Sequence, residues 1–195
     1  MMGPLVLLML AVGAHAAATP WHAIAEPNVS AMRSRERTAM ERLGGRVLAS
    51  RGAWLQATPA DCGVAVVREA VRTLQAGRGR VPSRDSVAAL TGASARGTTL
   101  DGLARALDVL GAHTRRADHA LPSGATVYVA HLRAGHFVLL RRTSRDTVWM
   151  FDPLVGEIAM EQAAFRALWS GAGLRVDGQA GLAQRRARTS ARAGT

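Results

Sequence analysis

The stretch Gln56-Ala57-Thr58-Pro59-Ala60-Asp61-Cys62-Gly63 decides how the rest of the chain is read. It holds the single cysteine of the 195 residues, and an apolar run at helical spacing, residues 64–74, follows it. Pro59 is a helix breaker and Asp61 a preferred N-cap, so a helix is expected to begin at Cys62. In a first helical turn the backbone N–H groups and the helix dipole favour a thiolate, the form of sulfur that attacks carbonyls. Gln56, six residues upstream, is a neutral double donor able to face the oxygen of such a carbonyl.

A nucleophile needs a base, and the base an orienting group. Gly135-His136-Phe137-Val138-Leu139-Leu140 offers the base at the start of an apolar strand; Phe151-Asp152-Pro153 offers a carboxylate at the end of another. Each feature has an ordinary reading too. A lone cysteine is commonly a small buried hydrophobe, a histidine opening a strand a core or edge residue, and Asp-Pro a turn. Taken together, their order and spacing favour the chemical reading.

In these three stretches the chain resembles the bacteriocin-processing, double-glycine cysteine peptidases, a papain-like family usually found at the N-terminus of peptide-exporting ABC transporters. The resemblance rests on Gln56 six residues before Asp61-Cys62-Gly63, on Gly135-His136-Phe137, and on Asp152-Pro153 sixteen residues beyond that histidine. Thr98-Thr99-Leu100-Asp101-Gly102-Leu103, then Leu110-Gly111, then Phe165, Trp169 and Gly171 extend it over about residues 50–173. It implies an α+β, papain-like fold with N-terminal helices packed on a C-terminal antiparallel sheet. It also implies a cysteine peptidase that cleaves peptide bonds through a thioester, with processing of double-glycine leader peptides as the more specific expectation, although the family's domain usually works on the cytosolic face. Cys62 would be the nucleophile, His136 the base, Asp152 its orienting carboxylate, and Gln56 with the Cys62 backbone N–H the oxyanion hole. Two alternatives stay open: a non-catalytic peptide-binding domain of the same fold, and an acyl or peptidyl transferase using the same thioester. His131, five residues before His136, is the one rival base and lacks the flanking Gly and Phe. No cofactor is expected, and Cys62 with scattered histidines matches no zinc spacing.

Composition narrows the partners. The chain has no lysine and no phosphate-binding loop, which excludes ATP hydrolysis. Its formal charge of +11 comes from scattered arginines with one Tyr and three Phe, a poor platform for stacking bases, so specific nucleic-acid binding is not expected. A peptide or protein substrate is expected, with a separate peptide exporter as a further candidate partner. One cysteine allows no intramolecular disulfide.

Four segments are expected. Residues 1–18 read as a cleaved signal peptide: an apolar run too short to span a bilayer, ending in small-x-small sites, without a basic start. This implies a periplasmic or secreted protein with no stable membrane insertion. Residues 19–49 read as a leader with a helix over 30–43, carrying Met32, Ala39, Met40 and Leu43 on one side and stopping at Gly44-Gly45. That Gly-Gly resembles a self-processing site, but Arg42 and Ala39 stand where apolar leader residues belong, which favours a simple helix stop. Residues 50–175 read as the peptidase domain: helices over 62–76, 84–90 and 99–110, four strands over 126–131, 136–142, 147–151 and 157–160, and a closing helix over 160–169. Residues 176–195 read as a disordered basic tail.

Overall fold

Period-two burial along consecutive strands builds a sheet with two covered faces. The computed structural model describes residues 26–48, 54–75 and 80–178. In chain order the elements are α1 (Glu26–Arg42), β1 (Arg46–Val47), α2 (Cys62–Leu74), α3 (Arg84–Thr91), α4 (Leu100–Val109), β2 (His113–Arg116), β3 (Gly124–Leu132), β4 (His136–Thr143), β5 (Thr147–Asp152), β6 (Gly156–Glu161), α5 (Gln162–Leu168) and β7 (Trp169–Asp177). The seven strands form one antiparallel sheet in the order β1-β6-β5-β4-β3-β7-β2. The expected signal segment lies outside the described residues, as do residues 179–195 of the expected tail and residue 76, the expected end of the helix over 62–76.

Val127, Val129, Phe137, Leu139 and Phe151 face α2, α3 and α4. Their neighbours Tyr128, Ala130, Val138, Leu140, Val148 and Met150 face the other way, under α1 and α5. The architecture is therefore mixed helix and antiparallel sheet, the papain-like arrangement. α2 is its most buried helix, with every residue from Cys62 to Val71 buried. Glu69, fully buried on α2, is paired by Arg72 and by Arg141, which also reaches Glu157 at 2.9 Å. Arg141 sits where the β4–β5 register slips between Leu140 and Arg142, and the bulge gives it no cross-strand partner.

The first four expected strands and the three helices behind them lie within two residues of their expected ends. Ser83 and Thr99 cap α3 and α4 by accepting from Ser86 N and Gly102 N, and Gly92 stops α3 in the left-handed region. α1 stops at Gly44-Gly45 as a helix stop does, with Gly45 N donating to Met40 O at 2.8 Å.

Other expectations are corrected. Three strands, β1, β2 and β7, go beyond the four expected. β2 is polar and lies at an edge, where no apolar alternation marks it. β7 contains Gly171 and Gly173, which read as loop; at Gly173 a Cβ would strike the Tyr128 ring. The closing helix is shorter than expected, since Met160 belongs to β6 and Trp169 to β7. Val176 and Asp177, placed in the tail, pair with Thr114 and His113. The inward stripe of α1 is Val29, Met32, Arg33, Glu36 and Met40, whereas Ala39 and Leu43 are exposed. The helix's 3.6-residue period runs through 29, 33, 36 and 40, not through 39 and 43.

Candidate active site

Three elements meet at one end of the sheet. Cys62 is the first residue of α2 and is 8% exposed. Its helix starts tight against the second layer: a Cβ on Gly63 would collide with Thr98 and Leu103, so only glycine lets α2 approach α4 this closely. His136 opens β4 after Gly135, whose φ of 76° makes the hairpin turn. Asp152 closes β5 and is fully buried.

His136 Nε2 and Asp152 Oδ2 are 3.2 Å apart. The other carboxylate oxygen, Oδ1, accepts from Leu154 N at 2.7 Å and Val155 N at 3.3 Å. Asp152 is thus both turn residue and histidine partner, one oxygen for each task. With Nε2 committed to Asp152, Nδ1 is the ring nitrogen left for the Cys62 sulfur, whose proximity helps to raise the pKa of the imidazole. Burial disfavours a charged imidazole here, but the Asp152 carboxylate and the Cys62 sulfur outweigh it and push His136 up to about 10.

Gln56 is fully buried, and the turn after it is held by many hands. Its backbone N donates to Pro153 O at 2.9 Å, tying it beside Asp152. Its side-chain Nε2 donates to Thr58 O at 2.9 Å, which leaves a second N–H, while Oε1 is buried without a partner. Asp61 does not cap α2 through its side chain, contrary to expectation. Its carboxylate turns back instead and accepts from Thr58 N at 3.1 Å and Ala57 N at 3.3 Å, organising the turn between Gln56 and Cys62.

Arginines complete the clamp. Arg84 of α3 pairs with Asp61 at 2.7 Å and donates to Leu55 O at 3.2 Å. Arg68 of α2 lies 3.9 Å from the centre of the Trp54 ring. Arg33 of α1 donates from Nη2 to Gln56 O at 2.7 Å. One turn further along α1, Glu36 is half-buried; burial and then the Asp152 charge raise its pKa, against a lowering by His136. Sequence reasoning did not identify Arg33, Glu36 or Arg84 as site neighbours, because no spacing rule links them to residues 54–62.

All four expected site residues therefore come together. His131, the rival, is held elsewhere: its Nδ1 is 3.1 Å from Ser170 Oγ and its ring packs on Phe137. Burial lowers its pKa, with a smaller contribution from His136.

Comparison with known proteins gives a consistent picture. The profile of the Peptidase C39 family matches residues 52–180. The chain's fold is similar to the crystal structure of a double glycine motif protease from an AMS/PCAT transporter in complex with the leader peptide, with TM-score 0.55 and 18% identity, over 67% of this chain and 97% of that one. It is also similar to the peptidase domain of Streptococcus ComA, a bifunctional ABC transporter involved in a quorum-sensing pathway, with TM-score 0.54 and 21% identity, over 64% of this chain and 96% of that one. No curated protein matches the chain.

Proposed function

The chain belongs to the Peptidase C39 family, a family of cysteine peptidases, and we propose that Cys62, His136, Asp152 and Gln56 carry its chemistry. The observation that carries the assignment is the His136 ring paired with the buried Asp152 carboxylate at 3.2 Å, with Cys62 at the start of α2 close enough to act on the same ring. An imidazolium held by Asp152 stabilises a thiolate beside it, the state a thiol nucleophile needs. The thiolate attacks the carbonyl carbon of the scissile peptide, forming the C–S bond as the carbonyl electron pair moves to oxygen. The second N–H of Gln56 Nε2 and the backbone N–H of Cys62 receive that oxyanion. Collapse breaks the C–N bond, and His136 gives its proton to the leaving amine. Water then loses a proton to His136 and attacks the thioester, which releases the new carboxylate and returns the thiolate. Asp152 holds the ring so that Nδ1 faces sulfur throughout.

The finer reading is that the substrate is a leader peptide cut after paired glycines. The family and the spacing of the three motifs support it. Action outside the cytoplasm belongs to the same proposal and is supported by the apolar run of residues 4–18 with its small-x-small ending. Among the described residues no helix is long and apolar enough to cross a membrane.

The test is cleavage of a synthetic peptide with an amphipathic helix followed by Gly-Gly, read by mass spectrometry. Wild type is expected to cut after the second glycine and Cys62→Ala to bind without cutting. Tight binding with no cutting by wild type would identify a binding domain instead. Product joined to an added amine, in preference to water, would identify a transferase.

A further inference from the structure

α1 lies outside residues 52–180, the span matched by the family, yet it reaches the candidate site. Its inward stripe is unusual for a helix that merely covers a sheet. Val29 and Met40, both buried, anchor its two ends on the apolar face. Between them, over about 16 Å of helix, the stripe places Arg33 and Glu36. Buried polar groups weaken packing unless they are paired, so charge in mid-stripe has to be explained by what it meets. Arg33 meets the carbonyl of Gln56, and the charges of Asp152 and His136 reach Glu36.

The Gln56 peptide is gripped from both sides. Pro153 O holds its N–H at 2.9 Å, and Arg33 Nη2 holds its carbonyl oxygen at 2.7 Å, a charge-assisted bond. Thr58 O takes one hydrogen of the side-chain amide. With its backbone so fixed, the remaining amide hydrogen has one direction. An oxyanion donor that drifts by a fraction of an ångström loses much of its effect, because it must be in place before charge develops.

We propose that Arg33 is a positioning residue for the oxyanion donor Gln56, so that α1 is a working part of the catalytic apparatus. The proposal rests on the reading of Gln56 given above and adds a residue from outside the family domain. Arg33 acts through Gln56 and does not touch the substrate. It therefore affects the stabilisation of the oxyanion, not ground-state binding, and its effect disappears when Gln56 has no amide to aim.

The experiment is a double-mutant cycle on the full chain with the Gly-Gly peptide, measuring kcat, KM and the thermal midpoint. Arg33→Ala is expected to lower kcat about tenfold with KM changed less than about twofold. Arg33→Lys, which keeps a charged donor, is expected to recover part of the loss. In the Gln56→Ala background, Arg33→Ala is expected to cost no further activity. Equal losses in both backgrounds, or no loss in wild type, overturn the proposal, as does a faster Arg33→Ala enzyme, which would make α1 a cover over the site. If Arg33→Ala does not fold, Arg33→Lys carries the same cycle: an intermediate kcat that vanishes as a difference in Gln56→Ala supports the proposal, and a kcat equal to wild type overturns it. Absence of turnover in wild type itself defeats the peptidase reading, and this inference with it. Turnover that is indifferent to Arg33 defeats only the inference.

Discussion

The two halves of the candidate site are built on different principles. His136 and Asp152 are placed by strand register: β4 and β5 are neighbours, Leu139 faces Phe151, and the two reactive side chains sit at the adjoining strand ends. Gln56 and the entry to Cys62 lie on a loop, placed by side chains from α1, α2 and α3 that converge on residues 54–61. Backbone ladders are cooperative and survive the loss of one side chain, whereas a clamp of charged contacts can be dismantled one residue at a time. The sheet half should therefore respond to substitution by losing chemistry without losing structure. The loop half should lose both together.

Asp152→Asn is the strongest way to sharpen this contrast. The asparagine carbonyl can still accept from Leu154 and Val155 N, so the turn and the fold should persist. Its amide, however, presents a donor to His136 Nε2, which forces the wrong tautomer. A loss of roughly a thousandfold in kcat with the secondary structure and a cooperative unfolding transition retained is expected. Near wild-type turnover would reduce Asp152 to its turn role. Gln56→Ala comes next. Removing one oxyanion donor costs about 3 kcal/mol, or about a hundredfold in kcat, with KM nearly constant. A rise in KM at unchanged kcat would instead make Gln56 a substrate contact.

Arg84→Ala addresses the clamp directly. It strips the partner from the nearly fully buried Asp61 carboxylate, whose two backbone bonds shape the turn. Because Arg84 keeps some solvent contact, a stability loss of about 2 kcal/mol is expected, with a several-fold fall in kcat alongside. A fall in kcat at unchanged stability would contradict the idea that the loop half couples the two.

The remaining prediction concerns the pH dependence of stability, which tests the same pair without turnover. His136 is raised from its ordinary 6.5 to about 10 in the folded chain. A raised histidine contributes stability that is complete below about 6.5 and is lost as pH climbs through about 10. The urea midpoint should therefore decline over that window, and Asp152→Asn should flatten the decline. An equally steep decline in Asp152→Asn would remove His136 and Asp152 as its source.

Local patterns carry much of the fold and most of the site. The alternation in β3 to β6, the extents of α2, α3 and α4 and the four candidate site residues are all legible, because each depends on neighbours a few positions away. The reading failed where local and tertiary demands separate. Asp61 is a good cap in isolation, yet Arg84 and two backbone donors of the preceding turn compete for its carboxylate, and they prevail. β2 lacks a local signal because it is a polar edge strand, and in β7 Gly171 and Gly173 interrupt the buried residues Trp169, Leu174 and Val176; the two strands are held by pairing with each other, and β7 also by pairing with β3.

By itself the sequence determined where the nucleophile, base and carboxylate stand, and that strands and helices carry them, because chain periodicity and residue chemistry are local properties. Only the tertiary structure decided what surrounds them: that Arg33, Arg68 and Arg84, from three helices and up to 51 positions apart, close on three successive residues before the cysteine. Long flexible side chains with one charged planar end can reach a target from many backbone positions. Their partners are therefore set by how the helices pack, and no spacing in the chain records them.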